Sequence, residues 1–177
     1  MEKKPIKPLF WKNGLYVIDQ TKLPKKKVIL KLDSVYKVYN AIKELKIRGA
    51  PLIGCVCAYG VLVSFIENKN KSMEDLKKKI KEDIEFLKSS RPTAYNLFYS
   101  LNKMSKIVET FTGKDKNELM RRLLNEAKNI HNEDLYACYK IGKYGSKLIK
   151  DGMNILTHCN AGGLATTGFG TALAPIY

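Results

Sequence analysis

The chain has 177 residues, 45% of them hydrophobic, and carries 32 lysines and arginines against 17 acids, a net charge of +15. Such a composition builds a core and excludes a disordered tail, the length suits one domain or a little more, and no uninterrupted apolar run approaches the ~20 residues that span a bilayer. Nucleic acid is the first partner to consider for so basic a surface, but the lysines are spread over nearly every segment. The runs at residues 25–27 and 77–79 have no interleaved aromatics, so the charge reads as solvated helix faces.

Met1-Glu2-Lys3-Lys4-Pro5 has no apolar segment behind its charges, so no secretory leader is predicted and the cytoplasm is the default. Two β-like runs follow, Leu9–Trp11 with Leu15–Ile18 and then residues 28–32, and Asn13-Gly14 between the first two signals a hairpin. Asp19-Gln20 and Leu23-Pro24 fall between strands. From Asp33 the period turns helical through Val35, Val38, Tyr39, Ile42 and Leu45, with Asp33 or Ser34 as cap. Pro51 suits the first turn of the next helix, and residues 52–66 are apolar nearly all round, the mark of a buried helix. Arg48 stands at its mouth beside Gly49 and Ala50. It either holds an anion with their amides or caps a carbonyl.

Ser72 and Asp75 read as a capping box, and Met73, Leu76, Ile80, Ile84 and Leu87 as the buried stripe of the helix they start. Pro92 is placed in the first turn of a further helix with Ala94, Leu97, Leu101, Met104 and Val108 facing inward. Arg91 just before it repeats the position of Arg48, and two such arginines suggest a paired anion clamp. After Gly113-Lys114, Asp115 caps a helix through Leu119, Leu123, Ala127 and Ile130, and residues 131–149 are helical again. There Gly142 and Gly145 read as close-packing positions and His131 as a surface or interface residue. Glu133 and Asp134 are either ribose-binding acids or solvated helix charges.

Asp151-Gly152 is a turn. Ile155-Leu156 reads as a short buried strand, Cys159-Asn160-Ala161-Gly162-Gly163 as a turn, and residues 164–176 as a helix. Helix-end amides there would attract an anion and favour a Cys159 thiolate. The plainer alternative is a structural cysteine beside a tight turn. The four cysteines, Cys55, Cys57, Cys138 and Cys159, form no CxxC pair. Neither a disulfide nor a metal site is predicted from them.

Three stretches carry a family resemblance. Thr157-His158-Cys159-Asn160-Ala161-Gly162, with Leu164-Ala165-Thr166 and residues 168–173 behind it, resembles the central motif of the methylthioribose-1-phosphate isomerase family. Arg48 to Gly54 and Arg91 to Leu97 resemble two further motifs, with Leu52 where the family usually has Ala. That family is related to the regulatory subunits of the eukaryotic initiation-factor 2B complex.

The resemblance implies an α+β fold. A hairpin and helical domain would occupy residues 1–130. Residues 131–177 would form a connecting helix and the first strand-turn-helix of a Rossmann-like α/β domain. It implies isomerisation of 5-methylthioribose 1-phosphate to 5-methylthioribulose 1-phosphate in methionine salvage, without cofactor or metal, by a homodimer that engages neither nucleic acid nor membrane. Cys159 would be the reactive thiol. Arg48, Gly49, Ala50 and Arg91 would hold the phosphate, and Asn160, Ala161 and Gly162 would shape the turn beneath it. The family's acid–base aspartate lies beyond the position of Tyr177, so the chain is expected to be the N-terminal portion, partnered by a C-terminal half and inactive alone. Isomerases of 5-deoxyribose 1-phosphate or ribose 1,5-bisphosphate, and a regulatory binding subunit, are the alternatives.

Overall fold

The computed structural model of the protein describes residues 5–177, so the charged start read for a leader lies outside the described residues. Strands β1 (Leu9–Trp11), β2 (Leu15–Ile18) and β3 (Ile29–Leu32) form an antiparallel sheet in that order. Trp11 pairs with Leu15, so Lys12, Asn13 and Gly14 make the predicted hairpin turn, with Asn13 at φ 50°. The third strand closes on β2 from Leu15↔Leu32 to Ile18↔Ile29. Alternation puts Leu9, Leu15, Val17 and Leu32 on the buried face.

Five helices follow: α1 (Val35–Lys43), α2 (Ala50–Asn68), α3 (Met73–Lys88), α4 (Tyr95–Thr110) and α5 (Lys116–Gly145). Ser34 caps α1 by accepting from the Lys37 amide at 3.2 Å. Leu45, expected within that helix, lies beyond its end at φ 59° and 43% exposed. The Ser72 cap of α3 forms as read, its hydroxyl oxygen accepting from Asp75 N at 3.1 Å.

α2 is the axis of the core. Fourteen of its residues are buried, Leu52 through Phe65, and α1, α3, α4, α5 and the sheet pack around it. Its 19 residues are long and apolar enough by composition to cross a bilayer, which corrects the sequence-based exclusion, but 78% of that window is buried inside the protein. Each such leucine or valine side chain contributes about 1.5–3 kcal/mol of burial. α4 approaches closely at Gly54, where a Cβ would meet the Asn96 carbonyl and the Ser100 hydroxyl.

Three other expectations are corrected. Pro92 lies in a turn closed by the Ala94 amide on the Arg91 carbonyl at 3.0 Å, and α4 starts only at Tyr95, because its N-cap Ala94 is extended at φ −86° and ψ 94°. The two helical stretches on either side of residue 131 are one 30-residue helix, α5, with no break there.

The third correction concerns residues 150–177, which contain neither the strand nor the α-helix. Residues 153–158 have no strand partner among the described residues, and Leu156 is 97% exposed. An isolated parallel-type strand has nothing to satisfy its amides and carbonyls but water. Residues 161–177 fold as a compact loop with short 3₁₀ turns at Gly163–Ala165 and Ala174–Ile176. Gly162 bridges to Gly170, and the Ala161 carbonyl accepts from Thr171 N at 2.9 Å. Gly170, at φ 103°, leaves no room for a Cβ beside the Ala161 carbonyl. Helical φ/ψ is thereby excluded in mid-segment. The loop packs along α5, where Gly142 faces Ala174 and Gly145 faces Pro175, the two close-packing positions anticipated from sequence.

Candidate active site

The buried helix α2 begins without a side-chain cap. Gly49, at φ 92°, is its N-cap, and Pro51 occupies the first turn. A side chain at Gly49 would collide with Ala165, so the mouth of α2 and the Gly163–Ala165 turn are in direct contact. This contact brings together residues more than 100 positions apart.

Arg48, immediately before that mouth, is exposed and lines a cleft of about 330 Å³ together with Gln20, Cys159, Asn160, Ala161 and Gly162. Ile6, Leu164 and Ala165 add an apolar wall. The cleft thus contains Arg48, Cys159, Asn160, Ala161 and Gly162 of the residues singled out by sequence. Gly49 and Ala50 are not among its lining residues, and neither is Arg91.

Cys159 is exposed and holds φ 65°, a left-handed conformation uncommon for a residue with a side chain. Outliers of this kind concentrate at ligand and catalytic sites. No α-helix starts behind it, so the helix-end amides invoked from sequence are not its environment. The other three cysteines are buried. Burial pushes the thiols of Cys55, Cys57 and Cys138 upward, away from thiolate.

Two anchors hold the Cys159-bearing segment against the body. Gln20 donates from Nε2 to the Leu164 carbonyl at 2.7 Å, while its own N–H donates to the Lys46 carbonyl at 2.9 Å. Asp19, 3% exposed, supports it by capping Thr21 through both amide (3.0 Å) and hydroxyl (2.6 Å). On the far side, Asp134 Oδ2 accepts from Thr167 N at 2.6 Å and from Thr167 Oγ1 at 2.7 Å. That hydroxyl also lies 3.0 Å from the His131 carbonyl.

Asp134 is therefore neither a solvated charge nor a lining residue of the cleft. Glu133, its neighbour, reaches Lys103 at 3.1 Å. His131 is half-buried. Its ring meets Tyr59 edge-on at 6.1 Å, Tyr59 stacks on Trp11 at 5.5 Å, and His131 Nδ1 is buried with no hydrogen-bond partner among the described residues. Burial holds its pKa below the usual histidine value, with Lys7 adding to that effect and Asp134 opposing it. Nothing in the period of α5 marked His131 or Asp134. For Gln20 the only signal was its place after Asp19 between two strands.

Among the described residues no group of three His, Cys, Asp or Glu side chains is arranged to hold a metal ion.

Residues 46–175 match the model of the initiation factor 2 subunit family. The chain belongs to the initiation factor 2 subunit family. Within it, the chain is 44% identical to 5-deoxyribose 1-phosphate isomerase of Petrotoga mobilis over 98% of its own length and 50% of that protein's. It is 48% identical to methylthioribose-1-phosphate isomerase of Caldicellulosiruptor saccharolyticus over 94% of its own length and 48% of that protein's. Among solved family structures, 5-methylthioribose 1-phosphate isomerase from Pyrococcus horikoshii superposes with a TM-score of 0.88 at 37% identity, covering 98% of this chain and 48% of that one. The translation initiation factor eIF-2B delta subunit from A. fulgidus superposes at 0.86 with 38% identity, covering 97% and 50%. The chain spans about half the length of the curated family members it matches.

Proposed function

We propose that this chain supplies the thiol and an anion-holding arginine of an aldose–ketose isomerase. Its substrate is a pentose 1-phosphate, 5-methylthioribose 1-phosphate or its 5-deoxy analogue, converted to the corresponding 2-ketose 1-phosphate. For the methylthio sugar the step belongs to methionine salvage. The carrying observation is that Arg48 and Cys159 line one cleft.

The chemistry asks for both groups. A phosphate on the anomeric oxygen prevents simple ring opening, so an acid must first assist cleavage of the ring C–O bond. Hydrogen then moves between C2 and C1, as a proton through an enediolate or as a hydride. A guanidinium binds the phosphate by charge-assisted hydrogen bonds. A thiol beside C1 and C2 relays a proton, provided the sugar is held in register. Asn160, Ala161 and Gly162 form the turn below. Gly49 and Ala50, at the uncapped mouth of α2, and Arg91 enter this reading from their motifs and not from the cleft.

The apolar wall of Ile6, Leu164 and Ala165 favours a methyl or methylthio group at C5 over a second phosphate. An apolar wall separates methyl from methylthio only weakly, and the family members named above include both isomerases. A non-catalytic regulatory subunit is the second reading, since the initiation-factor subunit superposes about as well as the isomerase. Cys159 in the cleft favours chemistry.

In this reading residues 131–177 begin a Rossmann-like unit, and residues 153–158 pair as a strand once a C-terminal half supplies neighbours. The working form is a cytoplasmic homodimer that needs no cofactor, nucleic acid or membrane, and the 177-residue chain alone does not turn over substrate. The test is turnover of 5-methylthioribose 1-phosphate, 5-deoxyribose 1-phosphate and ribose 1,5-bisphosphate by the full-length gene product. Turnover of either 5-deoxy-type sugar, abolished by Cys159→Ser, is expected. No turnover of any of the three would sink the isomerase reading in favour of the regulatory one.

A further inference from the structure

We infer that Gln20 is the positioning residue that sets the Cys159 turn at its working distance from Arg48. It builds on the isomerase reading, which names what the cleft is for. Three contacts of one residue carry it. Its backbone N–H holds the Lys46 carbonyl at 2.9 Å, two positions before Arg48, and so fixes the connector from α1 to α2. Its side-chain amide holds the Leu164 carbonyl at 2.7 Å, 144 residues further along the chain. The side chain also lines the cleft between them.

The partner is a carbonyl, so only the amide end of Gln20 serves, and neither a carboxylate nor a thioether replaces it. The Gly163–Ala165 turn is thus clamped between Gln20 on one side and the backbone of Gly49 on the other. Behind Gln20, Asp19 is 3% exposed and holds both the amide and the hydroxyl of Thr21, so the amide that reaches Leu164 projects from an immobilised turn. At its other end the clamped segment is tied to α5 through Thr167 and Asp134. Without the Gln20 bond only the packing against Gly49 and the α5 anchor would hold it, with no hydrogen bond on the cleft side, and the Cys159 end nearest the substrate would loosen. Misplacement on the ångström scale costs about a hundredfold in rate where reacting groups must align. Phosphate affinity, which depends on charge at Arg48, would change little.

The test uses Gln20→Met, nearly isosteric and uncharged but without a donor, with Gln20→Ala as a second variant. In the 177-residue chain, hydrogen exchange at the Ala165 amide, bonded to the Gly162 carbonyl at 2.9 Å, should quicken by about fivefold or more, the worth of one hydrogen bond. Amides of α2 and α4 should be unchanged. In the full-length gene product kcat should fall by at least about tenfold with KM within about twofold. Unaltered exchange at Ala165, or a rise spread equally through α2 and α4, overturns the assignment, as does an unaltered kcat. If the wild-type protein turns over no sugar phosphate, the isomerase reading fails by itself. The exchange measurement then decides whether Gln20 positions the turn.

Discussion

Thr167 donates both its backbone N–H and its hydroxyl to a single carboxylate oxygen of Asp134, at 2.6 and 2.7 Å. Thr167 is 5% exposed, so neither donor has water as a ready substitute. Asp134→Ala should therefore cost about 1.5–3 kcal/mol, the usual worth of hydrogen bonds to a charged acceptor, because the Thr167 amide is left unpaired while its hydroxyl can turn to the His131 carbonyl. Urea denaturation measures it, and Thr167→Val should lose less because the backbone bond remains. A loss for Asp134→Ala indistinguishable from that of Glu133→Ala would contradict the anchor.

Cys159 is the exposed member of four cysteines, while Cys55, Cys57 and Cys138 are buried with their thiols pushed upward. Limiting iodoacetamide should modify Cys159 first, with the other three labelled only on unfolding. Inorganic phosphate should slow the reaction if the cleft holds an anion. Peptide mass spectrometry reads both effects, and equal labelling of all four would refute the assignment.

Arg48 is exposed, so Arg48→Ala should leave stability within about 0.5 kcal/mol. In the full-length gene product it should weaken sugar-phosphate binding by about 1.5–3 kcal/mol, the worth of a charge-assisted hydrogen bond, and Arg91→Ala should do the same if the two form a clamp. In the 177-residue chain Arg48→Ala should remove phosphate protection of Cys159. Wild-type kinetics in either variant would remove that arginine from the clamp.

His131 gives stability a pH dependence of known sign. Burial lowers its pKa in the folded protein, so the unfolded chain takes up the proton first as pH falls through about 6.5. Stability from this group is whole above that pH and declines below it, until the folded-state pKa is passed. His131→Phe keeps a ring against Tyr59 and removes the buried Nδ1, unpartnered among the described residues. The difference in urea midpoint between wild type and variant should shift between about pH 7.5 and 5 in the variant's favour. The chain has two histidines, and His158 is common to both proteins, so a constant difference would mean His131 does not titrate in this window.

Leu156 is 97% exposed and Ile155 44%, in a stretch without regular structure or a strand partner among the described residues. Amides of residues 154–158 should exchange at nearly unprotected rates in the isolated chain, and Leu156→Lys should reduce self-association in sedimentation. Strong protection in a monodisperse wild-type monomer would contradict this.

How much of this was legible in the sequence differs sharply along the chain. The hairpin, the Ser34 and Ser72 caps, the buried α2 and the inward stripes of α3 and α4 follow from local rules, because short-range periodicity and capping decide them wherever one core receives every apolar face. Arg48 and Cys159 were legible as candidates through motif resemblance, and Gly142 and Gly145 as close contacts. Residues 153–176 were read as strand and helix from an apolar pair and a run of small residues. They form neither, because a strand requires a partner and because Gly170 and the threonine hydroxyls commit the backbone to loop hydrogen bonds. That Arg48 and Cys159 share a cleft, that Asp134 is an anchor and that His131 encloses its Nδ1 against the body were decided only by tertiary structure. Each depends on a contact between residues far apart in sequence, and the spacing of residues along one element says nothing about what another element brings to it.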